Sequence, residues 1–361
     1  MDQTTGIRVG LIGLSSDHVW EMGDGLAAQP GVTLVAAADG DAGLVRRAAS
    51  RWGLAHTFTS AGQLLAAQAV EAVLVCCDNA GKADIVEAAA SRGVHVYMDK
   101  PMAASVPQAR RIRAAAEAGD ITLMVAYHHV FYPLYEAASR VLSAGLLGPV
   151  YLARGAIGHA GPREFGCSEE FCAWLFDADR NGGGCLADEG CYLLAEFTER
   201  LGRIAEVSAF TAQIGQHPYL PAGVEDNAVV ILRFASGALG LIDAKWGQIG
   251  PSPVLASYHG VNGTLTIRAD RAELAIQRPA EPGPQWQPVR VSGNVGSWEY
   301  APARTADAGW GGREQRDFLR HLNSGRRVEG AAGPAVALHV QEVIDAAYTS
   351  ARTGRSVPIA P

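Results

Sequence analysis

No apolar run in the sequence approaches the ~18 consecutive residues that a bilayer-spanning helix needs, which excludes the membrane as a partner. Basic residues are outnumbered, 30 Lys and Arg against 37 Asp and Glu, for a net charge of −7. With no basic stripe interleaved with aromatics, nucleic acid is excluded as well. Cysteine is scarce: six in 361 residues, none spaced Cys-x-x-Cys. That is no disulfide framework. Cys167, Cys172, Cys185 and Cys191 do cluster in sequence with His159 nearby. Small buried apolar side chains are the preferred reading over a zinc site, so no metal is assigned. The start, Met-Asp-Gln-Thr-Thr-Gly, lacks the basic and apolar regions of a secretory signal, and a cytoplasmic protein is expected. Neither an internal repeat nor a low-complexity tail is present.

What is there is an ordinary globular composition, 48% hydrophobic and 19% charged. A single core rarely grows past roughly 250–300 residues, so 361 residues imply two domains. The first ~125 residues alternate apolar runs with helical patterns. The runs are Ile7–Leu14, Val32–Asp39, Ala72–Cys77, Val94–Met98 and Ile121–Ala126. They are rich in Val, Ile and Leu without polar alternation, as strands buried on both faces of a parallel sheet are. Helices are predicted at His18–Gln29, Ala42–Trp52, Lys82–Arg92 and Val106–Ala118, with Gly93 and Gly119 as C-terminal glycines and Ser105 as an N-cap before Pro107. Repeated βα units of this kind predict a doubly wound parallel sheet over residues 1–125.

After Tyr127 the texture changes. A helix at Leu134–Ala144 closes on Gly145, a Gly/Pro/Cys-rich loop region follows, and a helix is predicted over Asp188–Leu201. Strands are predicted at Glu206–Gln213, Ala228–Phe234, Leu239–Lys245, Val254–His259 and Thr264–Arg268, with a hairpin at Phe234–Ala238. Residues Pro279–Pro288 read as a Pro-rich surface loop. Helices at Gly312–Leu322 and Pro334–Arg352 close the chain. Residues 126–361 are thus an α+β domain around a largely antiparallel sheet, its last helix (334–352) free to pack back on the first domain.

Gly13-Leu14-Ser15-Ser16-Asp17-His18 follows the first strand and opens the first helix, where a dinucleotide fold places its phosphate-binding turn. Backbone N–H groups at a helix N-terminus suit a pyrophosphate. The usual Gly-x-Gly-x-x-Gly is degraded, with Ser15 at the second glycine and His18 at the third. A tight strand–helix turn without a nucleotide is the alternative. Asp39 ends the second strand about twenty-five residues later. A carboxylate there accepts the ribose hydroxyls and favours NAD over NADP, although Arg46 and Arg47 leave NADP open and Asp39 could instead cap the next helix. Cys77 and Asn79 end the third strand at the cofactor crevice.

Two segments carry chemistry: Tyr97-Met-Asp99-Lys100-Pro101, and Asn181-Gly-Gly-Gly-Cys185-Leu-Ala-Asp188-Glu189-Gly190-Cys191-Tyr192. Asp188 and Tyr192 stand four apart and would share a helix face. Hydride transfer needs a group that takes the alcohol proton. A tyrosine beside an ammonium has its pKa lowered toward that task, and Lys100 would stabilise the oxygen as charge develops. Whether Lys100 or Tyr192 moves the proton stays open. So does the plainer alternative, a solvated lysine and a core tyrosine.

In order along the chain, Val9-Gly-Leu-Ile-Gly13, Asp99-Lys-Pro101, the glycine run with Asp188-x-Gly-x-Tyr192, and Ser350-Ala-Arg-Thr-Gly354-Arg resemble the glucose–fructose oxidoreductase / inositol dehydrogenase / MocA (Gfo/Idh/MocA) family. The resemblance implies an NAD(P)-binding Rossmann domain, a second domain with a large open sheet, and homodimers or homotetramers built through that sheet. It implies sugars, cyclitols or related polyols and ketones as substrates, and Lys100 as the central catalytic group with Asp188 and Tyr192 beside it. Cofactor contacts would come from Gly13, Leu14, Ser15, Ser16, Asp39, Cys77, Asn79, Asp99, Lys100 and His128. Substrate contacts would come from His128, His159, Trp174, Asp188 and Tyr192. For His128 and Trp174 the alternative is a structural histidine and a packed core tryptophan. The sequence departs from the family at Asp99, where Glu is usual, and at Tyr192, where many members have His. His128 takes an amide position and Val130 an arginine position.

The activity expected is therefore an NAD-dependent dehydrogenase or reductase. Two alternatives remain at this level: a redox-neutral lyase or hydrolase with tightly held NAD, and a non-catalytic ligand-sensing relative.

Overall fold

In the computed structural model, the described residues are 6–67, 69–214, 217–250, 252–268, 272–276, 283, 285–289 and 312–361. The chain forms two compact units. One is Met1–Ala126, Cys167–Gly182 and Trp310–Gln341; the other is Tyr127–Gly166, Gly183–Gly309 and Glu342–Pro361.

The first unit is built on β1 (Ile7–Ile12), β2 (Val32–Ala38), β3 (His56–Phe58), β4 (Ala72–Val75), β5 (His95–Asp99) and β6 (Leu123–Ala126), side by side in the order 3-2-1-4-5-6. Every pairing is parallel. Helices α1 (His18–Ala27), α2 (Ala42–Trp52), α3 (Ala61–Ala67), α4 (Lys82–Ala90) and α5 (Val106–Ala118) make the crossovers. The central strands bury Val9, Leu11, Val73, Leu74, Val96 and Met98 on both faces, which is why they read as unbroken apolar runs. This is the doubly wound sheet expected. It has one more strand and helix than expected, because β3 is three residues long and largely exposed, too short to leave a periodic pattern.

Two local expectations need correction. Gly119 ends α5 at φ −83°, not in the left-handed region; Asp120, at φ +49°, takes that conformation. Glycine is needed at 119 for closeness instead, since a Cβ there would stand 2.7 Å from the Ala90 carbonyl oxygen. Ser105 occupies the N-cap, but its hydroxyl donates to Gln108 Oε1 at 3.0 Å rather than accepting from the helix backbone.

The first unit also holds α7 (Glu169–Leu175), α8 (Ala178–Asn181) and α10 (Arg313–Ser324). The second unit is a nine-stranded sheet. It comprises β7 (Val150–Gly158), β8 (Ile204–Ala212), β9 (Asn227–Phe234), β10 (Leu239–Lys245), β11 (Ala256–Gly260), β12 (Gly263–Ile267), β13 (Ala272–Ile276), β14 (Gln285–Pro288) and β15 (Val357–Pro358). Their order is 14-13-12-11-7-10-9-8-15. Among the described strands only β7 and β10 pair in parallel; the other pairings are antiparallel. The β9–β10 hairpin closes through Phe234 N–H to Ala238 O and Gly237 N–H to Phe234 O. Helix α6 (Pro133–Ser143) precedes the sheet, α9 (Cys191–Leu201) lies on it, and α11 (Pro334–Thr353) is shared by the two units.

Three expectations change here. The loop region expected after Gly145 contains β7, α7 and α8. Arg154 and Gly155 break the apolar run of β7, hiding a strand whose register is set by its neighbours. The loop expected at Pro279–Pro288 is a strand from Gln285, paired with β13, while residues 279–282 and 284 lie outside the described residues. The helix expected at Asp188 starts as a π-helical turn, Leu186–Gly190, before α9.

Candidate active site

In the first unit the strand C-termini supply the groups. Gly13 follows β1 at φ +76°, where a Cβ would come within 2.5 Å of Cys77 N and 2.6 Å of Cys77 Cβ. Only glycine lets the turn lie this close to the end of β4. Leu14 N–H donates to Asp39 Oδ2 at 2.7 Å, and Asp41 N–H to Asp39 Oδ1 at 2.8 Å. Asp39 does not cap α2; Asp41 does, accepting from Gly43 and Leu44 N–H. Arg47 lies with its guanidinium 4.0 Å over the Trp20 ring. Ser15 is half-buried at the turn. Ser16 is buried, its hydroxyl donating to Asp99 Oδ2 at 2.8 Å and its N–H to Cys76 O.

Asp99, at the end of β5, gathers a cationic cluster. His18 Nδ1 lies 3.0 Å from both carboxylate oxygens, and Lys100 N–H donates to Oδ1 at 2.8 Å. Burial alone would push the Asp99 carboxyl up, but His18, Lys82 and Lys100 hold it well below the usual carboxylate range. Lys82 is fully buried and donates to Asn79 Oδ1 (2.7 Å), Asp99 O (2.6 Å) and Pro101 O (2.7 Å). Its ammonium thus pins the backbone on both sides of Lys100, itself 3% exposed. Asn79 spends its amide on the Asn181 carbonyl and side chain at 2.9 Å. Cys77 points its thiol at Asp78 O, and burial pushes that thiol up to about 12, leaving it an apolar wall at ordinary pH. Trp174, on α7, is 2% exposed and meets Phe171 edge-on at 5.0 Å.

In the second unit, Gly184 N–H and Leu186 N–H donate to the Glu225 carboxylate at 2.8 and 2.9 Å, and Tyr348 Oη donates to it at 2.7 Å. A Cβ at Gly184 would fall 2.0 Å from Glu225 O, so the run of glycines is what lets this clamp close. Burial pushes the Glu225 carboxyl up, with these donors pulling the other way. The clamp anchors the π-turn that carries Asp188 and Glu189. π-Turns inside helices gather at functional sites. Asp188 Oδ2 accepts from Trp246 Nε1 at 3.1 Å. Tyr192, on the first turn of α9, stacks on His129 with centroids 4.1 Å apart and planes 11° apart. His128 sits beside His129 on a tight 3-10 turn (His128–Phe131), its ring 6.1 Å from that of Tyr192. His159, just past β7, has Nε2 3.5 Å from Glu189 Oε1.

Among the predicted residues the structure therefore groups Gly13, Ser16, Asp39, Cys77, Asn79, Asp99 and Lys100 in one unit, and His128, His159, Asp188 and Tyr192 in the other, with Trp174 in the first. The sequence reading gave no site role to Lys82, Glu189, Glu225 or Trp246, and took His18 only as the replacement for the third glycine of the turn. Among the first four only Glu189 carried a local signal, a second carboxylate next to Asp188.

A parallel sheet in this order, with a glycine turn after β1 and an acid after β2, defines a dinucleotide-binding oxidoreductase fold coupled to an open-sheet domain. The chain belongs to the Gfo/Idh/MocA family: residues 7–127 match its "Oxidoreductase family, NAD-binding Rossmann fold" and residues 135–266 its "GFO/IDH/MocA C-terminal domain", well over half the chain. It is an NAD-binding-type oxidoreductase of that family. The D-apiose dehydrogenase of Paraburkholderia graminis is 25% identical over 348 residues, 95% of this chain and 85% of that protein. The D-xylose 1-dehydrogenase (NADP(+)) 2 of Haloferax volcanii is 26% identical over 315 residues, 86% of this chain and 87% of its own. A levoglucosan dehydrogenase solved in complex with NADH and L-sorbose shares the fold, with a TM-score of 0.85 at 22% identity over 99% of this chain and 100% of that one. No helix among the described residues is long and apolar enough to cross a membrane.

Proposed function

We propose that the chain is an NAD-dependent dehydrogenase that oxidises a secondary or hemiacetal hydroxyl of a sugar, cyclitol or related polyol, or reduces the matching carbonyl. Residues 1–125 hold the nucleotide and residues 126–361 the substrate. The observation that carries this reading is the oriented carboxylate–phenol pair, Asp188 fixed by Trp246 and Tyr192 stacked on His129, on one helical segment.

The residues present suit a dinucleotide. The turn at Gly13 has no room for a side chain, and Asp39 ends β2 with its carboxylate at that turn. Bound nicotinamide supplies the hydride acceptor or donor. Asp39 accepts from the adenosine ribose hydroxyls and repels a 2′-phosphate, which favours NAD. Lys100 Nζ donates to the substrate oxygen and stabilises the charge that develops there. The hydroxyl proton passes to Tyr192 Oη as tyrosinate, Lys100 then donating as ammonium, or to Lys100 Nζ as neutral amine, which donates back to the oxygen once protonated; Asp188 helps position the substrate. Ser16 and Lys82 support the site through Asp99 and its neighbours, and His128 packs behind Tyr192.

A cytoplasmic homodimer or homotetramer completes the proposal. Phe210, Val229, Ile231 and Leu239 are exposed on β8, β9 and β10, an apolar face that a second copy would cover; sedimentation velocity reports its stoichiometry. The function is tested by following NADH at 340 nm across D-xylose, D-apiose, levoglucosan and inositols with NAD and NADP. Lys100→Ala is expected to lower turnover by about 10³-fold or more with NADH affinity changed only a few-fold. Unchanged turnover in that variant overturns the role of Lys100.

A further inference from the structure

The reaction proposed above uses Asp188 and leaves its neighbour Glu189 without a task. Glu189 is 5% exposed, and its Oε2 has no hydrogen-bond partner. A buried carboxylate oxygen in that state costs free energy unless something fills the gap. One ligand-type atom from each of His159, Asp188 and Glu189 lies within 4.8 Å of the other two. The trio is framed by the parallel pair in the second sheet. His159 follows β7, and Trp246, which donates to Asp188, follows β10. His159 is pinned by its own N–H to Lys245 O (3.2 Å) and by Gln248 N–H to its carbonyl (2.9 Å), and its ring stacks on Phe165.

The tautomer of His159 decides what fits. Gly161 N–H donates to Nδ1 at 3.1 Å. A backbone N–H can only donate, so Nδ1 is the acceptor and the ring proton sits on Nε2. Nε2 therefore has no lone pair for a metal ion, whose histidine ligands normally donate from the other nitrogen. The ring instead offers an N–H, 3.5 Å from Glu189 Oε1, too long to satisfy either group well. His159 and Glu189 thus present one donor and one unanswered carboxylate oxygen. An ammonium has only donors and would leave His159 Nε2–H unanswered. A hydroxyl both accepts and donates, and so answers the His159 N–H and the Glu189 oxygen at once.

We propose that Glu189 and His159 clamp the substrate hydroxyl next to the one that reacts, so that the enzyme selects vicinal diols. One hydroxyl accepts from His159 Nε2–H and donates to Glu189 Oε2; its neighbour is the reacting one, whose own proton leaves to Tyr192 or Lys100 as in the reaction above. The clamp rests on the dehydrogenase reading for the identity of that second hydroxyl. A site built to bond a hydroxyl rejects the analogue lacking it strongly, because its own polar groups are then stranded.

The test uses the full-length enzyme loaded with NADH, and measures binding of D-xylose, 2-deoxy-D-xylose and 2-amino-2-deoxy-D-xylose by calorimetry, together with oxidation of each in the presence of NAD. Wild type is expected to prefer D-xylose over the deoxy sugar by roughly 100-fold or more. Glu189→Gln is expected to lose roughly 10–100-fold on D-xylose and to leave the deoxy sugar unchanged. His159→Gln should show the same contrast and stands in should Glu189→Gln not fold, NADH affinity reporting the fold of each. Equal losses on both sugars, or no loss on either, overturn the clamp while D-xylose oxidation by wild type keeps the dehydrogenase reading intact. Tighter binding of the amino sugar overturns it in favour of an ammonium site. A wild type that neither binds nor oxidises any of the three, nor any sugar or inositol of the panel above, overturns both.

Discussion

Asp99 in the first unit and Glu225 and Glu196 in the second are buried carboxylates kept by opposite means. In the first, Asp99 receives the Ser16 hydroxyl and the His18 ring nitrogen and lies in the field of Lys82 and Lys100, and those cations hold its carboxyl well below the usual range in spite of burial. In the second, Glu225 is met by two backbone N–H groups and the Tyr348 hydroxyl, and Glu196 by the Tyr258 hydroxyl, with Arg200 as a secondary influence. Burial wins there: both are pushed up, Glu196 to about 7. Ion pairing fixes a charge at every working pH, whereas neutral dipoles leave the protonation state adjustable. Glu314, also in the first unit, is fully buried and pushed well up by burial, so the contrast belongs to these particular sites.

The comparison breaks most visibly at Lys82. Replacing it with Met keeps the bulk but removes three donors and the cation beneath Asp99. Breaking one side of a buried charge pair costs about 3–5 kcal/mol, and urea unfolding is expected to register a loss of that size. A change under about 1 kcal/mol would mean that His18 and Lys100 alone suffice for Asp99, and that the first unit does not depend on buried ion pairing.

Next in size is Asp39, which tests what the first unit's strand-end carboxylates discriminate. Its carboxylate already accepts from Leu14 and Asp41 N–H, so it is oriented before any nucleotide arrives. Asp39→Ala is expected to weaken NAD by about 10–100-fold, one or two hydrogen bonds to a charged group, while NADP changes far less. Calorimetry showing equal losses for the two nucleotides would remove the ribose role.

What the sequence made legible follows the same division. The parallel strands declared themselves because both faces are buried and their runs are unbroken. Asp39, Asp99 and Lys100 were expected at strand ends, and the structure puts them at the ends of β2 and β5. The second half hid more because its determinants are distant in the chain. Leu186 N–H is taken by Glu225, 39 residues away, and Asp188 is held by Trp246, 58 residues away. No local period announces a π-turn made under those constraints. Reading Asp188 and Tyr192 as an i,i+4 pair on a regular helix placed both on one segment but missed the turn that exposes Glu189 as a third group. Lys82 was missed for a related reason, as an ordinary helix residue, and His18 was read only as bulk in the glycine turn; their partner, Asp99, lies 17 and 81 residues further on.

The smallest expected effect sharpens the comparison from the titratable side. Glu196 ordinarily titrates near 4.5, and burial among Phe197, Tyr258 and the sheet raises it to about 7 in the folded chain, with Tyr258 and Arg200 opposing. Between those values the folded protein holds a proton that the unfolded chain has released. Stability therefore falls as pH rises from about 4.5 to about 7 and is flat above, the sign set by the larger proton count of the native state. Glu196→Gln keeps an acceptor for Tyr258 and removes the titration. Against wild type it is expected to gain roughly 1–2 kcal/mol at pH 8, less than the full shift because the new amide N–H₂ needs an acceptor of its own. The gain should shrink steadily toward pH 4.5. Denaturation curves that stay parallel between variant and wild type across that window would show that Glu196 is already ionised in the folded state and, like Asp99, is held as a carboxylate in spite of burial.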